Sequence, residues 1–150
     1  MSAGPEILAL AMRSLPHGPE FRFVDRMISL TPGVEGVGEY RIRGDEYFLR
    51  GHLPGEPIMP GVLMVESAAQ VAGMVAQEDP ANPKWPRLKL TALRGVKILG
   101  SARPGDTMRI AASIKGVLGS MIQAEVTAHI GGTKVLVAEL ALSGNGPQTS

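Results

Sequence analysis

Cysteine is missing from the chain altogether. Its absence excludes disulfides, thiolate metal sites and cysteine nucleophiles, and fits a reducing compartment. Aromatic residues are only 4%, too few for the stacking platforms that hold single-stranded nucleic acid. Neither sign of charge dominates: fifteen Lys and Arg against fourteen Asp and Glu leave a formal +1, so no strong field argues for a polyanionic partner. No apolar run approaches the roughly 20 residues a bilayer requires. The first residues also lack the basic segment and apolar core of a signal peptide, so a cytoplasmic location is expected. Three scattered histidines without cysteine form no recognisable ligand set, and neither a metal nor an organic cofactor is expected.

What is present is a core. Apolar residues make up 44% of the 150 residues, and that length suits one domain, residues 1–150. The chain is organised around residues 51–77, GHLPGEPIMPGVLMVESAAQVAGMVAQ. From Pro60 onward Val, Leu, Met and Ala dominate, which predicts a helix of about five turns. Proline suits its first position because the missing N–H would have no intrahelical partner there. A helix apolar on nearly every side is buried in a core or spans a membrane. Glu66, Ser67 and Gln70 interrupt the run, so this helix is expected to be buried within a fold. Glu66 is the anomaly, since a carboxylate on a buried helix is costly unless paired or hydrogen-bonded. Glu66, Gln70, Gly73 and Gln77 fall at i, i+4, i+7 and i+11 and form one polar seam. The seam needs a partner from elsewhere, and His52 in the preceding loop is the candidate.

In chain order, residues 5–15 space Ile7, Leu8, Leu10, Ala11 and Leu15 as a short amphipathic helix, stopped by Pro16, Gly18 and Pro19. Residues 21–30 read as a strand containing Asp25 and Arg26. Residues 34–43 read as a second strand with glycine bends at Gly36 and Gly38, antiparallel to the first. Residues 45–50 lead into the central loop. Residues 78–86 are proline-rich and without periodicity, hence a loop. Leu88, Leu90 and Ala92 alternate with Arg87, Lys89 and Thr91 in a strand running toward Ile98. A turn at residues 103–106 follows. Met108, Ile110, Ala112 and Ile114 alternate in the next strand, turned by residues 116–119. Ile122, Ala124, Val126, Ala128 and Ile130 alternate next, Gly131 and Gly132 make a tight hairpin turn, and residues 135–142 return. These last three strands are expected to form a meander, with residues 145–150 frayed. Strands grouped in runs predict an antiparallel α+β domain, with about six strands curled around one long helix.

The run GHLPGEPIMPGVLMVESAAQVAG resembles the signature of the FabZ-type 3-hydroxyacyl-acyl carrier protein dehydratases. Further similarity lies in LPHGPEFRFVDR (residues 15–26) and VKILGSARPGD (residues 96–106), so it covers most of the chain. The resemblance implies the hot-dog fold and the removal of water from a (3R)-hydroxyacyl thioester to give the trans-2-enoyl thioester. It places the catalytic pair at His52 and Glu66. His52 would be the base at the α-carbon, and Glu66 would hold and protonate the departing hydroxyl. Imidazole, which titrates near neutrality, suits a base that must also return its proton. The resemblance also makes the Gly61 amide, at the helix N-terminus, the donor to the thioester oxygen, where unpaired N–H groups favour negative charge. Gln70 would support Glu66 or the substrate. The implied partner is an acyl carrier protein, and the implied assembly a homodimer, or a hexamer of three dimers, with the histidine of one chain facing the acid of the other. The related dehydratase-isomerases typically carry aspartate at the acid position, so Glu66 favours dehydration without isomerisation. Three departures bear on acyl length and the tunnel wall: Leu53 for the usual phenylalanine, Ser67 for alanine, and HGPEF for His-Arg-Tyr-Pro-Phe.

The remaining residues have plainer readings. His17, flanked by prolines, reads as a turn residue or a contact at the site's edge. His129 alternates with Ala128 and Ile130 and is expected to face outward. Met59, Met64 and Met74 read as core or tunnel lining. Lys97, Arg103 and Arg94 are candidate contacts to an acidic carrier protein. Other readings stay open on sequence grounds: a CoA hydratase, a thioesterase or a polyketide-type dehydratase on the same fold, or a non-catalytic acyl-binding homologue.

Overall fold

The computed structural model of the chain describes residues 3–51, 53, 55–85 and 87–144. A short helix α1 (Pro5–Arg13) and a single 3-10 turn (Pro19–Phe21) precede two strands, β1 (Arg26–Thr31) and β2 (Glu35–Arg41). A five-residue helix α2 (Tyr47–Gly51) leads to the long helix α3 (Gly61–Ala76). Four strands complete the chain: β3 (Lys89–Ile98), β4 (Thr107–Leu118), β5 (Met121–Ile130) and β6 (Thr133–Ser143). The six strands form one antiparallel sheet in the order β1-β2-β4-β5-β6-β3. The predicted antiparallel first pair, the β4-β5-β6 meander and the sheet wrapped around a helix are all present.

The reason lies in the strand alternation. Met108, Ile110 and Ala112 on β4, Ile122, Ala124, Val126 and Ala128 on β5, and Leu136, Ala138, Leu140 and Leu142 on β6 are buried. They form one concave face, and α3 lies across it against β4, β2, β5 and β6. Eleven of the sixteen residues of α3 are buried, so the helix is enclosed, as its all-round apolarity requires. Each fully buried Val, Leu or Met there contributes about 1.5–3 kcal/mol. The β5–β6 turn has two residues between the Ile130 and Thr133 pair, with φ of +56° at Gly131 and +83° at Gly132, the backbone a tight primed hairpin requires.

Several elements differ from expectation. Pro60 sits one position before the helix, and its carbonyl accepts from the amides of Leu63 (2.9 Å) and Met64 (3.1 Å). The first strand starts at Arg26, because Phe21 and Phe23 are held against α3 before the chain enters the sheet. Asp25 therefore lies outside the strand and binds Arg43 and the Arg41 amide, while Arg26 pairs with Glu39. Helix α2 was not foreseen, being too short to show a period. β4 runs through Gly116 to Leu118 before turning. β3 shows no buried face despite its alternation, because it is the edge strand beyond α3. The frayed end expected over residues 145–150 lies outside the described residues.

The two β2 glycines are not bends. A Cβ on Gly36 would lie 2.8 Å from Val75 Cγ2 and 3.0 Å from the Ser29 carbonyl oxygen, and one on Gly38 would lie 2.9 Å from Val71 Cγ2. Their missing side chains let α3 rest directly on the backbone of β2. We predict that Gly36→Ala lowers unfolding stability by about 1–3 kcal/mol through overpacking, measured by urea denaturation; an unchanged midpoint would show that α3 does not depend on this close approach.

Candidate active site

The polar seam of α3 opens onto a cavity of about 660 Å³. Glu66, Gln70, Gly73 and Gln77 all line it, as the i, i+4, i+7, i+11 spacing predicts. The opposite walls come from the segment after α1, which includes Leu15, Pro16 and His17, and from the loop and strand after α3, which include Trp85, Leu88 and Leu90. Glu66 is therefore not enclosed in the core: 21% of its side chain is exposed, on the cavity side.

Glu66 is oriented from two directions. Gln70 Nε2 donates to its Oε2 at 3.0 Å. His17 Nε2 lies 3.5 Å from the same oxygen, a distance at the outer limit of a hydrogen bond. Arg22 fixes the His17 loop by donating to the carbonyls of His17 (2.7 Å) and Leu15 (3.1 Å). The His17 ring stacks on Phe21 at a centroid separation of 6.2 Å. Its Nδ1 is buried without a hydrogen-bond partner among the described residues.

Gln70 is also structural. Its Oε1 accepts from the Phe23 amide at 2.9 Å, and its Nε2 donates to the Phe21 carbonyl at 2.8 Å. Ser67 Oγ donates to the Phe23 carbonyl at 2.6 Å. Two side chains of α3 thus pair the Phe21 carbonyl and the buried Phe23 amide and carbonyl. Ser67, expected to bear on the tunnel wall, is fully buried and holds this segment instead. A single Gln70 amide group locks the chain entry in place and restrains Glu66.

Glu66 and Gln70 share one site. Gly61 does not join them: it begins α3, outside the cavity lining. Five residues separate Gly61 from Glu66, about 7.5 Å along the axis and on a different face. A Cβ on Gly61 would lie 2.5 Å from Ile98 Cδ1, so the helix N-terminus approaches the end of β3. His52 lies outside the described residues. His17 was read as a turn or site-edge residue, and it stands at the edge, against the acid. The only signal for that contact was its place in the segment that the α3 seam must bind. Met74 lines the cavity, and Met59 and Met64 are buried. His129 is half-buried, opposite Arg109 and next to Lys134 across the strands. The cationic candidates are exposed, but Arg94 lies 4.0 Å from Glu139 and Arg103 lies 3.9 Å from Glu56. Of these three candidates, Lys97 on β3 is the one without an ion pair among the described residues.

The arrangement is a half-open apolar cavity with one restrained carboxyl, suited to a chain-bearing substrate and to proton transfer at one point along it. Known proteins resemble the chain in sequence and in fold. The FabA-like domain model matches residues 15–139. The 3-hydroxyacyl-[acyl-carrier-protein] dehydratase FabZ of Chloroflexus aggregans is 34% identical over 143 residues, covering 95% of each chain. FabZ of Caldanaerobacter subterraneus subsp. tengcongensis is 36% identical over 129 residues, covering 84% of this chain and 89% of its own. Among solved structures, the dehydratase heterocomplex ApeI:P of Xenorhabdus doucetiae superposes with a TM-score of 0.76 at 16% identity, covering 91% of both chains, which supports the hot-dog fold alone. Matched over most of its length in sequence and in fold, the chain belongs to the FabA-like family, with the FabZ dehydratases among its relatives.

Proposed function

We propose that this protein dehydrates (3R)-hydroxyacyl groups carried on acyl carrier protein to trans-2-enoyl groups, as a cytoplasmic enzyme of fatty-acid synthesis. The observation that carries the reading is the Glu66 carboxyl, set by Gln70 in the wall of a largely apolar cavity of about 660 Å³. In the reaction His52 takes a proton from C2, and the electron pair forms the C2–C3 double bond. The C3–O bond breaks, and the hydroxyl leaves as water with a proton from Glu66. Charge that develops on the thioester oxygen is met by the amide at Gly61, where the α3 dipole and its unpaired N–H groups favour it. Gln70 keeps Glu66 aimed by hydrogen bonding to the oxygen beside His17.

The site is shared between two copies of the chain. Gly61 and Glu66 face different sides of α3, so within one protomer the oxyanion donor is not in the cavity that holds the acid. The helix N-terminus instead borders β3, whose outer edge carries no neighbouring strand among the described residues. That edge exposes Leu93, Val96, Ile98 and Leu99, and Val62 at the start of α3 is 74% exposed. An unprotected apolar edge strand invites pairing with another strand. A second copy placed there brings its own Gly61 toward the first copy's Glu66, the resemblance implies that the same copy supplies His52, and the same contact repeated by two-fold symmetry completes both sites. Three such dimers make the hexamer expected from the resemblance.

Interconversion of 3-hydroxyacyl and trans-2-enoyl thioesters, followed by enoyl absorbance, is expected for the wild type and reduced about 10²- to 10⁴-fold in His52→Ala and in Glu66→Gln. Release of free thiol without enoyl formation would replace the dehydratase with a thioesterase. The double variant Leu93→Glu, Val96→Glu is expected to sediment as a monomer and to lose turnover together with the dimer. A variant that stays dimeric would move the interface away from β3.

A further inference from the structure

One wall of the cavity is fixed by an arrangement that nothing in the reaction uses. Gln77, just past α3, is 5% exposed and spends both halves of its amide on one residue. Its Oε1 accepts from the Trp85 amide at 3.0 Å, and its Nε2 donates to the Trp85 carbonyl at 3.0 Å. This pins the proline-rich loop after α3 so that the Trp85 indole, 4% exposed, packs with Ala76 and Ile122. Trp85 also lines the cavity that His17 and Glu66 line. A buried residue fixed at both backbone groups is a rigid wall.

We propose that the Gln77–Trp85 clamp is a ruler that limits the acyl group this protein accepts to about twelve carbons; the proposal rests on the dehydratase reading for which carbon sits at Glu66. Ten residues separate Glu66 from Ala76, about 15 Å of helix axis. Van der Waals contact with the wall takes about 4 Å of this. The remaining length, roughly 11 Å, holds about nine bonds of a zigzag alkyl chain built from ordinary carbon–carbon bonds. Counted from C3, which carries the hydroxyl beside Glu66, nine bonds end at about C12. Gly73 stands about 10.5 Å along this path, shortly before the wall, and a Cβ there would meet only Leu142 Cδ1, at 3.9 Å. The chain passes over that glycine with room to spare.

Trp85 is the only tryptophan in the sequence, so its emission reports directly on whether a chain reaches the wall. Wild-type protein is titrated with unreactive S-alkyl pantetheine thioethers of four to sixteen carbons, with calorimetry as an independent measure of binding. Affinity is expected to rise about fourfold per added methylene and to stop rising near twelve carbons, and the emission is expected to shift only for chains of about ten carbons or more. Gly73→Val, which blocks the path short of the wall, is expected to abolish the shift at every length. In turnover, Trp85→Ala is expected to raise the ratio of kcat/KM for the tetradecanoyl over the decanoyl substrate by at least tenfold. Emission that responds equally to the butyl compound, binding of the hexadecyl compound as tight as the extrapolated trend, or an unmoved ratio in a folded Trp85→Ala protein would each overturn the ruler. A length-dependent emission shift without turnover of any 3-hydroxyacyl thioester would leave the ruler standing and refute the dehydratase.

Discussion

Everything in this protein depends on how closely α3 can approach the sheet that encloses it. The helix is apolar on most of its circumference, and the concave face supplies small residues where large ones would hold it off: Gly36 and Gly38 on β2, Ala112 on β4, Ala124 and Ala128 on β5, and Ala138 on β6. Val71 and Val75 rest where the β2 side chains would otherwise be. With that contact in place, one narrow strip of α3 remains turned away from the sheet, and Glu66, Gln70, Gly73 and Gln77 on it face the cavity.

That strip does two kinds of work with few atoms. Ser67 and Gln70 satisfy the backbone of residues 21–23 and so bring the segment bearing His17 against Glu66. Farther along, Gln77 does the same for Trp85. The two irregular chain segments that line the cavity are both held by amide side chains from the same helix face. Buried backbone groups must be paired, and here the pairing also shapes the site. A loss at Gln70 would therefore disturb the chain entry and the carboxyl together, whereas a loss at Gln77 would be felt at Trp85.

Much of this was legible in the residues. The all-round apolarity of residues 62–75 required enclosure, the alternation in β4, β5 and β6 required a face to enclose it, and the spacing of Glu66, Gln70, Gly73 and Gln77 required a single seam. Each is a local period that survives folding. What was not legible depended on distant partners. Gly36 and Gly38 look like bends until a helix is laid on them. Phe21 and Phe23 alternate like a strand, yet the side chains that capture their backbone lie more than forty residues away. His17 has no period and no charged neighbour in sequence to mark it. The alternation around Leu90 and Ala92 was correct as a strand signal but silent on its place at the sheet edge. The motif around His52 and Glu66 pointed to the chemistry, and the fold adds that Gly61 and Glu66 belong to different sides of the helix.

The central claim is that each catalytic centre is built from two chains, and subunit complementation tests it most directly. His52→Ala and Glu66→Gln proteins, each inactive, are dissociated, mixed in equal amounts and reassociated, and turnover of a 3-hydroxyacyl thioester is measured. A mixed dimer in which the sites are shared contains one centre with both mutations and one with neither, so random pairing should restore about a quarter of the wild-type activity, through the two-fold symmetry of the pair. If mixing restores nothing although mixed dimers are shown to form, His52 and Glu66 act within a single chain, and the shared site is wrong.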